Sequence, residues 1–329
     1  MIRRFVLTLL AVTTFLTGLS GQTELGKYAG EFMAIDVSAR AQAMGGAFGA
    51  ISDDVFAAFY NPAGLAQVQA TQVGFTHTQQ FLSSVNYDYI GFAKPFASGK
   101  TFGASLIRLG IDDIQSVPQA AGLYDEQGIL RGIDFSQVDN FNAADYVFFV
   151  SMGQQFSTRM LIGFNAKLVR RDLGSNSATG IGFDGGLMFR VNERLKVSAM
   201  VRNLTTTLIA WDTGRKELVS PSLRLGSAYR VPLPALNGYF IPNVDVILQT
   251  QSLQNLSDNA IGGAFSGAAG GELVVMERLA LRGGYDELQR INFGVGIRIP
   301  HIDVDYSFTG YDQELGNAHR IGLMVNFAE

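Results

Sequence analysis

The chain of 329 residues has no cysteine, one tryptophan and three histidines. Without cysteine there is no disulfide and no lipid-bearing thiol of the lipoprotein kind, so packing and hydrogen bonding must hold the exported protein together. His77, His301 and His319 are scattered and do not show metal-ligand spacing, which argues against a zinc site. Charge is scarce as well: Asp, Glu, Lys and Arg make up 16% of the residues, against ~25% in an average soluble domain. No basic block occurs and the formal net charge is −4, so nucleic acid is not the expected partner. No apolar run after residue 21 is long enough for a membrane helix. Gly-x-Ser-x-Gly and P-loop motifs are absent. The run Gly45-Gly46-x-x-Gly49 lacks the preceding strand and later acidic residue of a dinucleotide fingerprint. No enzyme activity and no cofactor are expected. An outer-membrane enzyme acting on lipids would need a nucleophile and a base, and the three dispersed histidines do not supply them.

Hydrophobic residues are nonetheless 47% of the chain. High apolar content with little charge and no membrane helix conflicts with a soluble fold and agrees with a β-barrel, whose apolar outer face is hidden in alternation. The chain has 38 Gly, 24 Phe and 11 Tyr, which suit tight turns, crowded interiors and interfacial girdles. The alternation is explicit. Met160, Ile162, Phe164, Ala166 and Leu168 fall on one face, with Gly163, Asn165 and Lys167 on the other. Ile291, Phe293, Val295, Ile297 and Ile299 oppose Asn292, Gly294, Gly296 and Arg298. Period two is the strand signature, and a hydrated lumen removes the cost of burying mid-strand charges. Arg170, Arg202, Arg224 and Arg298 are expected in that lumen, paired with Asp184, Asp245, Asp303 or Asp305. About fourteen strands are expected between residues 71 and 327. Tight turns are expected on one side, and longer connections at 112–143, 173–179, 205–219, 254–263 and 312–317 on the other. A soluble β-sandwich pair or propeller is the competing architecture; the absence of a propeller-length repeat and the low charge weigh against it.

Ahead of the strands stand two different segments. Arg3-Arg4, the apolar Phe5–Leu16 and the small residues Gly18, Ser20 and Gly21 read as a signal peptide over 1–21. Residues 22–68 read as a compact segment small enough to sit in a barrel lumen, followed by the barrel over 69–329. Ser52-Asp53-Asp54 can cap a short helix from Val55 to Tyr60, and Asn61-Pro62 ends it. Asp53-Asp54 is expected to act as a cap and as half of a lumen salt bridge. Asp112-Asp113, at the start of a long connection, is read as solvated, since no EF-hand pattern follows.

Arg40-Ala41-Gln42-Ala43-Met44-Gly45-Gly46-Ala47, then Asp53-Asp54, then Phe59-Tyr60-Asn61-Pro62-Ala63-Gly64-Leu65, resembles the N-terminal signature of the PorV/PorQ family of outer-membrane proteins, which is related to the FadL-type barrels. The resemblance implies an all-β membrane protein. Its fold would be an antiparallel transmembrane β-barrel of about fourteen strands with an N-terminal hatch in the lumen, in the outer membrane of a Gram-negative-type bacterium. The implied hatch motif is Arg40, Met44, Gly45, Gly46, Asp53, Asp54, Tyr60, Asn61, Pro62 and Gly64. PorV-like members act in type IX secretion and bind the signal domains of secreted cargo; FadL-like relatives pass long-chain fatty acids or other hydrophobic compounds. The expected partners are therefore outer-membrane lipid together with secretion components and cargo or, alternatively, hydrophobic small molecules. A secretion or surface-attachment role is the first expectation. The transporter alternative expects an apolar ligand pocket near Phe48, Phe56 and Phe59. The connection over 112–143, with Pro118, Tyr124, Ile129-Leu130 and Phe135, is the candidate lid or partner-binding surface.

Overall fold

The computed structural model describes residues 30–80, 84–118, 121–125, 127–250, 263–311 and 316–327. The expected signal peptide lies outside them. So do residues 22–29 and most of the connection 254–263.

Fourteen antiparallel strands form the wall. They are β1 (Thr71–Gln80), β2 (Val85–Pro95), β3 (Lys100–Ser116), β4 (Asp139–Gln155), β5 (Met160–Leu173), β6 (Asn176–Arg190) and β7 (Leu195–Arg202). Then come β8 (Ser222–Tyr229), β9 (Gly238–Thr250), β10 (Gly263–Val275), β11 (Leu279–Tyr285), β12 (Ile291–Ile299), β13 (Ile302–Thr309) and β14 (Ala318–Phe327). Each pairs with its neighbour in sequence, and β1 pairs with β14 from Thr71↔Phe327 to Gln79↔His319, so the sheet closes and leaves no edge. Among the described residues no helix is long and apolar enough to cross a membrane.

Closure sorts the side chains by period two. Outward rows carry Phe75, Ile90, Phe92, Leu106, Phe148, Phe164 and Leu168, all exposed. Inward rows carry Asn165, Lys167, Asp184, Arg224, Asp245, Glu272, Arg282 and Arg320, all buried. A water-soluble fold would place these two sets the other way round; a membrane barrel requires this arrangement.

The wall is taller than the alternation predicts in two places. β3 and β4 continue into the expected 112–143 connection because their pairing resumes at Ile114↔Phe141 beyond a bulge. Asp113 forms that bulge with φ 58°, and its N–H donates to Asn142 Oδ1 (3.0 Å). The expected connection 205–219 is a hairpin, Thr207–Trp211 with Lys216–Val219, and its first strand pairs with β6. The expected loop 173–179 is instead a tight turn at Gly174, where φ is +57°.

Residues 30–68 run inside the wall as 3₁₀ and α turns: Glu31–Met33, α1 (Ala39–Gln42), α2 (Ala57–Tyr60) and Pro62–Gln67. Inward glycines of the wall mark where this inner segment touches it. A Cβ on Gly163 would overlap Pro62-Ala63 backbone, one on Gly186 the Asn61 carboxamide, and one on Gly270 or Gly284 the Met44 backbone. Much of the glycine content therefore has a packing origin: backbone meets backbone, and no side chain fits between.

Neighbouring glycines test this arrangement. Gly186 faces inward, whereas a Cβ at Gly185 has nothing within 4 Å. Gly186→Val should cost roughly 2–3 kcal/mol or more through overpacking. Gly185→Val should be close to neutral. Urea unfolding in detergent micelles measures the difference; equal effects at the two positions would contradict the inner path.

Candidate functional site

The inner segment is fastened to the wall by polar side chains at fixed points. Ser38 caps α1, its Oγ accepting from Ala41 N–H (3.3 Å). That orients Arg40 toward β10, where its Nε and Nη2 donate to the two oxygens of Glu272 (2.9 and 3.0 Å). The third nitrogen, Nη1, donates to Asp53 (2.7 Å) and Asp54 (3.2 Å). Arg282 Nε also donates to Glu272 (2.8 Å), and Arg298 lies 3.4 Å from it. Glu272 thus joins three guanidinium groups at a point with no solvent exposure, and only Arg40 of the three belongs to the inner segment. A planar fork matched to a carboxylate makes Arg the effective partner for such bidentate pairing.

A second fastening lies further round. Gly49 N–H donates to Asp245 (3.0 Å), and Arg224 Nη1 donates to the Gly46 carbonyl (2.9 Å) and stands 3.5 Å from Asp245. A third is Asn61. Its Nδ2 donates to the Leu187 carbonyl of β6 (3.0 Å) while its Oδ1 accepts from Ala63 N–H (3.1 Å). The Tyr60 hydroxyl accepts from Val37 and Ser38 N–H (both 3.2 Å), which ties the two halves of the segment together. Gly45 and Gly46 adopt φ +68° and +75°, closing α1 in the left-handed conformation that glycine tolerates without strain. Met44 and Gly64 are packed without space: a Cβ on Gly64 would overlap Ser52. The structure thus brings the ten motif residues together in one body, all of them buried except the half-exposed Asp53, and gives most of them identifiable mechanical roles. Pro62 starts the last 3₁₀ turn.

The expected helix cap is partly realised. Asp54 Oδ1 accepts from Phe56 N–H (3.0 Å), but the helix itself starts at Ala57. The lumen pairings also differ. Arg224 pairs with Asp245, but Asp184 pairs with Lys167 (2.6 Å) and Asp305 with Arg282 (2.6 Å). Arg298 takes Glu272, and Arg170 points outward to Asp172 (2.6 Å). Arg202 donates to the Phe59 carbonyl (3.0 Å) and lies over its ring, 4.3 Å from the centroid. Glu272 and Arg282 were missed by the sequence reading. The signal available for them was a charge flanked by glycines in mid-strand, as in Gly270-Gly271-Glu272 and Arg282-Gly283-Gly284.

The apolar pocket expected at Phe48, Phe56 and Phe59 is not there. Phe48 and Phe59 both pack edge-on against Tyr60 (5.1 and 5.0 Å between centroids), Phe56 packs on Tyr89 (5.0 Å), and all three join the buried core. The aromatic side chains fill the space they were expected to line. Open space lies on either side of this layer. The larger cavity, about 970 Å³, occupies the end with the longer connections; its lining includes Phe32, Met33, Ile35, Leu109, Leu218 and Val219 with charged groups among them. The smaller, about 230 Å³, lies at the opposite end among Arg40, Asp53, Asp54, Arg282, Arg298, Asp303 and Asp305, with Phe56 at its edge. The lumen is therefore a vestibule, a packed barrier and a polar cleft.

The candidate lid carries a separate small hairpin, Gly122–Tyr124 with Leu130–Ile133, and Leu123, Tyr124, Ile129, Leu130 and Phe135 stand exposed on it.

Three solved structures share this architecture. The toluene transporter TodX of Pseudomonas putida superposes with a TM-score of 0.55 at 13% identity, over 88% of this chain and 98% of that one. CymD, a monoaromatic hydrocarbon channel, gives 0.54 at 11% identity, over 89% and 98%. A FadL homologue from Pseudomonas aeruginosa gives 0.53 at 12% identity, over 87% and 96%. The structural neighbours are FadL-type outer-membrane barrels. Residues 10–167 match the model of an uncharacterised protein family, UPF0164. No curated protein matches the chain. The PorV/PorQ resemblance and the secretion role it implied find no support in these likenesses.

Two outcomes follow from the Glu272 junction. Glu272→Ala leaves buried arginines without their shared counter-charge and should cost roughly 3–5 kcal/mol, read as a lowered urea midpoint; an unchanged midpoint would contradict the junction. Asp54 supplies a pH dependence. Burial raises its pKa from 3.8 to about 7, against the pull of the Arg40 charge. The folded protein therefore binds more protons than the unfolded chain between these values. Its contribution to stability is full below about pH 4 and is lost as pH rises through about 7. Asp54→Asn should flatten that slope in thermal unfolding scanned from pH 4 to 8, and a slope of opposite sign would contradict it.

Proposed function

We propose that the protein is an outer-membrane channel for small, largely hydrophobic molecules, with residues 22–68 as its hatch. The observation that carries this reading is the 970 Å³ vestibule ending on a packed barrier inside the barrel. A cavity of that size suits a small organic ligand. The fold likeness to a toluene transporter and a monoaromatic hydrocarbon channel supports the same class of cargo. On this reading the long connections face outward, the tight turns face the periplasm, and solute enters the vestibule from outside. Passage requires the inner segment to shift against the wall, because aromatic and aliphatic side chains fill the lumen beneath.

The cysteine-free sequence allows a direct test. A Cβ on Gly322 of β14 would stand 3.3 Å from the Ala39 Cβ, close to the ~3.8 Å typical of disulfides. Ala39→Cys with Gly322→Cys should lock the segment to the wall. In proteoliposomes the oxidised double variant should lose uptake of radiolabelled toluene, and reductant should restore it. Undiminished uptake by the locked barrel would overturn the hatch.

A secretion-type role keeps one observation in its favour, the exposed apolar hairpin at Gly122–Ile133. It predicts that detergent extracts co-purify secretion components or cargo signal domains, and that wild-type proteoliposomes do not take up toluene.

A further inference from the structure

Among the described residues, the vestibule is lined by a buried cation, Arg320, and a half-buried anion, Asp36, neither of which forms an ion pair. Most other charges lining the cavity have partners: Lys167 with Asp184, Arg171 with Asp145, Arg224 with Asp245, and Arg290 with Asp286. Arg320, on the inward face of β14, is only 3% exposed. Its Nε donates to Thr78 Oγ1 (2.6 Å) and its Nη1 to Gln42 Oε1 (3.0 Å), both neutral acceptors. No carboxylate among the described residues lies within ion-pairing distance of it. Two bonds fix the guanidinium beside the cavity it lines and leave most of its five N–H donors without an acceptor among the described residues. A buried cation without a counter-ion is costly unless something supplies one.

Asp36 is the complementary case. It lines the same cavity and is half-buried; its charge acts on Arg202 and Arg224 at longer range, but it has no hydrogen-bond or ion-pair partner among the described residues. Its carboxylate lies against Gly46: a Cβ there would stand 2.6 Å from Oδ2. Gln42, which holds Arg320, and Gly46, which borders Asp36, are four residues apart on α1 and its closing turn. Both charges act electrostatically on the Tyr60 and Tyr87 hydroxyls, so they share one region of the cavity without pairing, and Phe32, Met33 and Val219 line the same cavity.

We propose that this region binds a small zwitterion of α-amino-acid type with an apolar side chain. Its carboxylate would lie on Arg320, its ammonium on Asp36, and its side chain against the apolar lining. The assignment deepens the uptake reading for the route of the ligand, but the binding itself does not depend on it.

Calorimetric titration of the full-length detergent-solubilised barrel separates the two groups. The ligands are L-phenylalanine, 3-phenylpropionate, which lacks the ammonium, phenethylamine, which lacks the carboxylate, and toluene, which lacks both. Phenylalanine should bind tightest. Arg320→Gln should weaken phenylalanine and 3-phenylpropionate by about tenfold or more and leave phenethylamine unchanged; Asp36→Asn should weaken phenylalanine and phenethylamine and leave 3-phenylpropionate unchanged. The analogue series on the unaltered protein gives the same answer if either variant fails to fold. Toluene binding with no detectable phenylalanine binding would overturn the zwitterion site and leave the channel reading standing. Phenylalanine binding without toluene passage in proteoliposomes would do the reverse.

Discussion

One buried carboxylate organises the interior. Glu272 receives Arg40 from the inner segment and Arg282 and Arg298 from the wall, at a point with no solvent exposure. A barrel whose outer face must be apolar has only its lumen in which to place charge. Charge in the lumen must be hydrated, paired or bound to a ligand. Here much of it is paired, and the pairing does mechanical work: Arg40 joins a segment with few strong local constraints of its own to strands more than two hundred residues away. The short turns at 39–42 and 57–60 are too brief to be stable alone, so their conformation depends on the wall.

The wall in turn is shaped to receive the segment. Inward glycines at 163, 186, 270 and 284 open a path at main-chain distance, and polar side chains of Asp245, Arg224 and Asn243 reach backbone groups along it. The segment and its binding track are thus complementary in both shape and hydrogen bonding. The three phenylalanines that might have lined a ligand pocket instead seal the barrier with Tyr60 and Tyr89. Among the described residues, space for a ligand lies above, in the vestibule, and below, in the polar cleft.

The sequence displayed the wall well and the joints poorly. Strands such as Ile291–Ile299 and Met160–Leu173 are legible because period two exposes both faces at once, and Asn61-Pro62 marks a stop by local sterics alone. What stayed hidden is long-range. Nothing local in Arg40 points to Glu272, and Arg170 reads like a lumen arginine although it faces outward to Asp172. The bulge at Asp113 keeps β3 and β4 paired where polar residues imply a loop. The vestibule charges Asp36 and Arg320 were likewise illegible, since their significance lies in the ion pairs they do not form among the described residues. Pocket position was misjudged at Phe48, Phe56 and Phe59 because an apolar residue reads the same whether it lines a space or fills one.

Residues 30–68 form a docked, solvent-excluding layer within the closed barrel. Hydrogen–deuterium exchange by mass spectrometry on the detergent-solubilised protein addresses it directly. Peptides spanning 37–65 should exchange as slowly as the wall strands β4 to β6, and far more slowly than the exposed hairpin at 121–133. Exchange over 37–65 as fast as in that hairpin would contradict the account.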